Sequence, residues 1–334
     1  MALDTQEPNR AVLVLSLGGT IAMTTPSGEA GGVTPRLTAA DLVAAVPGLK
    51  GEATLEVEDF RQMPGAWLTV DDIAALADRL NKQAATGTAG FVITQGTDTL
   101  EETAFLLDLL YRGDAPVVLT GAMRNPEMAG ADGPANLLSA IRTAASPAFR
   151  NLGILVVFAD EIHAARHVRK IHSTSTSAFS SPGAGPIGHV IEGRPRPHFS
   201  LPRRPTVALP FTRQARVEVI HTTLGSDGIL LQGLDERLDG LVIAAFGAGH
   251  VPATWVERLE ELAARIPVVL TSRTGAGSVL SSTYAFRGSE SDLLARGLIN
   301  GGSLDPYKAR LLLLAHLSTG ADLTVITNAF EIRR

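Results

Sequence analysis

Short, uninterrupted apolar runs recur through this chain with helix-period segments between them, and that alternation limits the folds open to it. Ala11–Leu17, Phe91–Thr94, Pro116–Thr120 and Leu152–Phe158 are rich in Val, Ile and Leu. They lack the polar alternation of a half-exposed strand, as expected for parallel strands covered on both faces. Val70–Lys82 sets Ile73, Leu76, Ala77 and Leu80 on one helical face, and Thr69 with Asp72 makes a capping box at its start. Strand, helix, strand is the repeating unit of an α/β fold with a mostly parallel sheet flanked by helices.

The stretch Glu192–Thr212 breaks the pattern. Pro195, Pro197, Pro202, Pro205 and Pro210 stand among Arg194, Arg196, Arg203 and Arg204, and proline at that density disfavours helix interiors and central strands. Beyond it, Gly240–Ala244, Pro267–Thr271 and Leu323–Thr327 read as buried strands, with helices at Trp255–Arg265 and Pro306–Leu317. Asp305-Pro306 is a cap followed by proline in the first turn. The expected organisation is a larger N-terminal domain (1–191), a Pro/Arg-rich linker (192–222) and a smaller C-terminal α/β domain (223–334). No repeat of solenoid length occurs.

Composition narrows the function. With 334 residues, 45% of them hydrophobic, a single body buries about 74% of its unfolded surface and needs no disulfide or structural metal. Zero cysteine removes thiolate nucleophiles, iron–sulfur clusters and Cys-based zinc sites. Lys+Arg 29 against Asp+Glu 34, a net charge of -5, gives no general attraction to nucleic acid or to an anionic membrane. The run Ala11–Leu17 is too short to span a bilayer and has no basic region before it, so a cytoplasmic, soluble protein is expected.

Three segments carry candidate chemistry. Leu17-Gly18-Gly19-Thr20-Ile21-Ala22 follows the first strand, where a Gly-Gly turn lets backbone approach a small molecule and presents Thr20 to it. Gln95-Gly96-Thr97-Asp98-Thr99-Leu100-Glu101-Glu102 follows another strand, and Thr99 with Glu102 is a second capping box that places Thr97 and Asp98 at the positive end of a helix. Free N–H groups there suit an oxyanion or a substrate carboxylate. The third, Arg166-His167-Val168-Arg169-Lys170-Ile171-His172, offers a lysine, which acts as a base only when burial or cationic neighbours depress its pKa. Singly these are a tight turn, a helix cap and a solvated basic face. Two threonine-bearing strand ends in one chain are harder to dismiss. His163, His167 and His172 match no strong zinc template. Gly247-Ala248-Gly249 and Gly275-Ala276-Gly277 fall short of the dinucleotide fingerprint, so no cofactor is expected.

Together, Gly18-Gly19-Thr20-Ile21-Ala22, Gly96-Thr97-Asp98-Thr99 with Glu101-Glu102, Thr120-Gly121-Ala122-Met123-Arg124, Ala131-Asp132-Gly133-Pro134 with Asn136, Lys170, and Leu304-Asp305-Pro306 with Lys308-Ala309-Arg310 resemble the bacterial-type asparaginase/glutaminase family. The resemblance implies two domains, a homo-oligomer (dimer or tetramer) with sites between subunits, and hydrolysis of side-chain amides of small amino acids. By it, Thr20 is the nucleophile. Thr97, Asp98 and Lys170 form a second catalytic group, with Lys170 as base and Asp98 orienting it and gripping the substrate amine. The Ala122 carbonyl accepts from the leaving amide, and Gly19, Gly96 and Gln62 contact substrate.

The departures bear on substrate. The family's lid tyrosine is missing, because the first tyrosine is Tyr111 and the expected lid, Met23–Arg36, has none. Tyr284, after Gly275-Ala276-Gly277, is the expected replacement. The usual carboxylate-binding serine is also missing from Asp59-Phe60-Arg61-Gln62-Met63-Pro64, where Arg61 or Gln62 is expected to serve. Gln95 stands where a histidine is common, His250 for an asparagine and Leu17 for a threonine. L-Asparagine is the expected substrate; the alternatives are another small ω-amide, such as D-Asn or Gln, and a catalytically silent sensor on the same fold.

Overall fold

A computed structural model describes residues 11–24, 34–49 and 52–333. The chain forms two compact units that divide between Arg203 and Arg204. In the larger, β1 (Val12–Ser16) leads through a 3-10 turn, Thr20–Ala22, into the short antiparallel pair β2 (Met23–Thr24) and β3 (Thr34–Pro35). Residues 25–33, the middle of the expected lid, lie outside the described residues. There follow α1 (Ala39–Ala44), β4 (Leu55–Asp59), α2 (Val70–Ala85), β5 (Gly90–Thr94), α3 (Leu100–Leu110), β6 (Val117–Thr120), α4 (Gly133–Ala145), β7 (Ile154–Phe158) and β8 (Glu161–Ala164). A two-stranded pair, β9 (Arg169–Lys170) with β10 (Phe179–Ser180), precedes the edge strands β11 (Gly188–Ile191) and β12 (Arg194–Pro197).

The large sheet runs β12-β11-β8-β7-β6-β5-β1-β4. β4, β1, β5, β6 and β7 are parallel, and β8, β11 and β12 continue it antiparallel. The chain leaves β1 for β4 on one side and returns to β5 on the other. That reversal opens a crevice beyond the carboxyl ends of β1 and β5, the place where open α/β sheets bind ligands.

Alternate residues supply the two faces. Val12, Val14, Val92, Val118, Leu155 and Val157 meet Leu137, Ala140, Ile141 and Ala144 of α4, and each fully buried aliphatic side chain contributes about 1.5–3 kcal/mol. On the opposite face Phe91 meets Tyr111, at the end of α3, edge to face at 6.3 Å. Thr69 caps α2 by the expected box, accepting from Asp72 N while the Asp72 carboxylate accepts from Thr69 N.

Within the Pro/Arg-rich stretch, β12 sits on the sheet edge, where a proline without N–H is tolerated. Arg203 donates to the carbonyls of Tyr111 (2.6 Å) and Gly113 (2.7 Å), and Arg166 to that of Pro202 (3.0 Å).

The smaller unit carries β13 (Val217–His221), β14 (Gly240–Ala245), α5 (Val256–Ala263), β15 (Val268–Ser272), α6 (Glu290–Ala295), β16 (Ile299–Asn300), α7 (Pro306–Ser318) and α8 (Leu323–Glu331). Its four strands are parallel in the order β13-β14-β15-β16. Asp305 caps α7, its Oδ1 accepting from the N–H groups of Tyr307 and Lys308 at 3.0 Å each.

The expected strand at Leu323–Thr327 is instead the start of α8. Asp322 caps it by accepting from Val325 N at 2.9 Å, and Ile326, Ala329 and Phe330 supply a buried face at helical spacing. Five apolar or β-branched residues suit either state, and the cap together with the residues beyond the run decided it.

Candidate active site

Three strand ends converge on backbone contacts that only glycine permits. Gly18 and Gly19, after β1, adopt φ of 90° and 86°, a region where a side chain strains the backbone. A Cβ on Gly19 would stand 2.0 Å from Gly96 N, and one on Gly18 2.7 Å from Met63 O. A Cβ on Gly121, after β6, would stand 2.5 Å from Gln95 O and 3.4 Å from Thr97 Cγ2. Thr20 and Thr97 each follow one of the two glycines in contact, so their approach is set by backbone. Ile21 and Ala22, both buried, anchor the turn that presents Thr20.

Thr97 is 5% exposed, at the start of α3. Lys170 reaches it from β9, whose partner Phe179 in β10 is buried. Lys170 Nζ donates to Thr97 Oγ1 at 2.9 Å and to Asp98 Oδ1 at 3.1 Å, and its backbone N–H donates to Glu101 Oε2 at 2.7 Å. The lysine side chain is 17% exposed and that of Asp98 68%. One face of the cluster is thus dry and hydrogen-bonded, and the carboxylate side is open to water. Thr97, Asp98 and Lys170 are brought together as expected from sequence, with Glu101 fixing the strand that carries the lysine.

The expected Thr99–Glu102 capping box is absent, although α3 begins at Leu100. Thr99 Oγ1 donates instead to Gly65 O at 2.8 Å and accepts from Gln95 Nε2 at 3.0 Å. Thr99 sits at φ -117°, ψ 13°, outside the extended region from which a capping hydroxyl reaches the helix N–H groups, and its hydroxyl is turned to the tertiary contact instead.

Ala122 is buried in a turn held from both sides. The Asp132 carboxylate accepts from Met123 N (3.0 Å) and Arg124 N (2.9 Å), while Asn136 donates to Gly121 O (3.0 Å) and accepts from Ala159 N (3.0 Å). Asp132 and Asn136 are part of the recognised motif, but their positioning roles needed the fold.

Of the two residues weighed for the substrate carboxylate, Arg61 is already engaged. Its Nε donates to Asp72 Oδ1 at 2.9 Å, its Nη1 to Phe60 O at 2.9 Å, and its guanidinium lies 4.8 Å from the Phe60 ring centre. Burial raises the Asp72 carboxyl's pKa, but hydrogen bonds from Thr69 and Arg61 outweigh it and hold the group below its ordinary value. Gln62 is exposed at the tip of the same loop.

Tyr284 belongs to the smaller unit, 43% exposed and edge-on to His250 at 4.8 Å. Its N–H and that of Thr283 donate to the buried Glu290 at 2.8 and 2.9 Å, and His250 Nε2 lies 3.2 Å from the other carboxylate oxygen. Glu290 was not singled out in the sequence, because an acid at the first position of a helix reads as ordinary first-turn charge. His163 Nδ1 lies 3.0 Å from Ser181 Oγ, and His172 Nδ1 accepts from Thr174 N and Ser175 N, so these two serve separate local structures. Among the described residues no three His, Asp or Glu converge as metal ligands.

Two family models match the chain: "Asparaginase, N-terminal" over residues 11–202 and "Glutaminase/Asparaginase C-terminal domain" over 216–330. A probable L-asparaginase of Deinococcus radiodurans is 41% identical over 322 residues, covering 95% of this chain and 96% of that one. A probable periplasmic L-asparaginase of Haemophilus influenzae is 34% identical, covering 96% and 92%. The crystal structure of a probable cytoplasmic L-asparaginase from Campylobacter jejuni superposes with a TM-score of 0.85 at 33% identity, covering 96% of this chain and 99% of that one.

Proposed function

The chain belongs to the bacterial-type asparaginase family and is an amidohydrolase acting on asparagine, and on that premise we propose that it cleaves the side-chain amide through an ester on Thr20. The Thr20 hydroxyl attacks the amide carbon, its proton passing to the departing nitrogen, and ammonia leaves. Water then attacks the ester, releasing aspartate and returning the proton to Thr20. A threonine hydroxyl is a weak nucleophile at neutral pH and needs an adjacent base and donors for the developing oxyanion.

The observation that carries this reading is the pairing of Lys170 Nζ with Thr97 Oγ1 at 2.9 Å, beside a Gly19–Gly96 backbone contact that leaves no room for a Cβ. Lys170 and Thr97 form a hydrogen-bonded pair across which a proton passes once Nζ is neutral and accepts from Oγ1. Asp98, on the open side, orients Lys170 and binds the substrate ammonium. Backbone N–H groups at the start of α3 favour negative charge. The Ala122 carbonyl accepts from the amide nitrogen, and Gln62 meets the α-carboxylate, since Arg61 is engaged with Asp72. Tyr284 takes the place of the absent lid tyrosine, supplied from a second copy of the chain in a homo-oligomer, a dimer or tetramer. On its likeness to the probable cytoplasmic L-asparaginase of Campylobacter jejuni we place the protein in the cytoplasm; among the described residues no helix is long and apolar enough to cross a membrane.

Ammonia release from L-Asn, D-Asn, L-Gln and simple amides, with wild type and Thr20→Ala side by side, tests this. Turnover of L-Asn that disappears in Thr20→Ala is the expected result. L-Asn turnover that survives in Thr20→Ala removes the threonine ester.

A further inference from the structure

The side chain of Gln95 is completely buried at the end of β5, and its amide is committed to one contact. Thr99 Oγ1 donates to Gly65 O at 2.8 Å, so the hydroxyl must accept from Gln95, which fixes Nε2 toward Thr99 at 3.0 Å and turns Oε1 away. Oε1 has no hydrogen-bond partner among the described residues. A buried polar atom left unpaired is unfavourable, and Thr99 forgoes the capping bond that its position just before α3 ordinarily provides. Two local preferences yield here to one tertiary contact, which is the mark of a functional constraint.

That contact joins two loops of the site. The segment 60–65 carries Gln62 and is fastened to the nucleophile strand by Phe60 N and Arg61 N, which donate to Ser16 O at 3.0 Å each, and by Met63 N, which donates to Leu17 O at 3.3 Å. Its far end, Gly65, is fastened by Thr99 to the turn that carries Thr97 and Asp98. Backbone there is tight as well, because a Cβ on Gly96 would stand 3.0 Å from Gly65 N. Thr99 thus sets the separation between Gln62, on the carboxylate side, and Asp98, on the ammonium side.

We propose that Gln95 and Thr99 are positioning residues for the amino-acid end of the substrate: through the Gly65 carbonyl they hold the Gln62 loop against the Asp98 turn, and so set affinity for a ligand carrying both an α-carboxylate and an α-ammonium. The inference rests on the reading that Gln62 and Asp98 bind those two groups. Neither residue touches the reacting amide, so their loss weakens binding and spares the chemical step.

The test is steady-state kinetics on L-Asn together with the dissociation constant of L-aspartate, for wild type, Thr99→Val, Thr99→Ser and Gln95→Met. Thr99→Val and Gln95→Met are expected to raise KM and the L-aspartate Kd about tenfold, the scale of one lost buried hydrogen bond, with kcat within about threefold. Thr99→Ser, which keeps the hydroxyl, restores both constants. A fall in kcat at unchanged KM and Kd overturns the proposal, as do unchanged constants throughout or a Thr99→Ser no better than Thr99→Val. If Thr99→Val fails to fold, Gln95→Met and Thr99→Ser still decide. Wild type that binds L-aspartate without hydrolysing any amide refutes the hydrolytic reading alone, and the Kd ratios then judge this one. Wild type that does not bind L-aspartate overturns both.

Discussion

Both units end parallel strands in turns rich in glycine and hydroxyl side chains, yet these turns do different things. In the larger unit Gly19, Gly96 and Gly121 bring three strand ends into backbone contact, and the Thr97 hydroxyl meets Nζ of Lys170. In the smaller unit the hydroxyls donate to backbone carbonyls: Ser272 Oγ across to Gly247 O beyond β14 at 2.6 Å, Thr222 Oγ1 to Ala244 O in β14 at 3.1 Å, and Thr274 Oγ1 to Ala276 O in its own turn at 2.8 Å. Its buried lysine, Lys308, has a side chain 2% exposed and pairs at 3.1 Å with Asp305 on its own helix, holding the start of α7. Strand-end threonines are therefore common to both units. A lysine delivered to a strand-end threonine by a separate strand pair, β9–β10, is what distinguishes the larger unit.

The largest expected effect breaks this contrast directly. Lys170→Met should lower kcat/KM for L-Asn by about 10³-fold or more, as removal of a group acting in the transition state does. Lys308→Met should leave kcat per folded molecule within about twofold while costing about 3 kcal/mol of stability, since it strands a buried carboxylate. Equal losses of turnover from the two variants would erase the distinction.

Gly19→Ala comes next. The strained φ and the 2.0 Å approach of its Cβ to Gly96 N force the two turns apart, so denaturant unfolding should show a loss of about 3 kcal/mol, with L-Asn turnover falling in the remaining folded protein. Glycines 247 and 277 in the smaller unit have open space around them. Alanine there should cost only the backbone strain, about 1–2 kcal/mol.

A pH series sharpens the contrast from another side, because each unit holds one histidine whose pKa is lowered to about 4. Burial depresses His163, with His189 adding to it, and burial depresses His316, with Arg333 adding to it. The unfolded chain binds these protons from about pH 6.5 downward and the folded protein resists them until about pH 4. Stability is full above pH 6.5, falls as pH drops from 6.5 to 4, and levels off below, by up to about 3 kcal/mol per histidine. Thermal melts from pH 7 to 4 should show that slope, and His163→Gln and His316→Gln should each flatten part of it. The smallest effect is expected for Asp322→Ala, which removes the cap that made α8 a helix and should cost about 1 kcal/mol in unfolding experiments.

Much of the architecture was legible because periodicity and punctuation are local. Four apolar runs predicted β1, β5, β6 and β7, Thr69-x-x-Asp72 predicted the start of α2, and Asp305-Pro306 that of α7. Leu323–Thr327 was misread because a short apolar run carries no length information, and Asp322 with Ile326, Ala329 and Phe330 had to be read together with it. Thr99 was misread for the opposite reason. Its local pattern was clear, but its hydroxyl is turned to a carbonyl 34 residues away in sequence and its backbone lies outside the capping conformation.

What the sequence alone determined about this protein is its α/β class, through the periodicity of its apolar runs, and its family, through the order of its motifs; Thr20, Thr97, Asp98 and Lys170 were put forward as a set by that resemblance. Only the tertiary structure decided that Lys170 meets Thr97, that Arg61 is taken by Asp72, and that Thr99, held by Gln95, reaches Gly65. Those outcomes depend on hydrogen-bonding groups far apart in the chain competing for partners at close range, and chain order carries no record of which competitor wins.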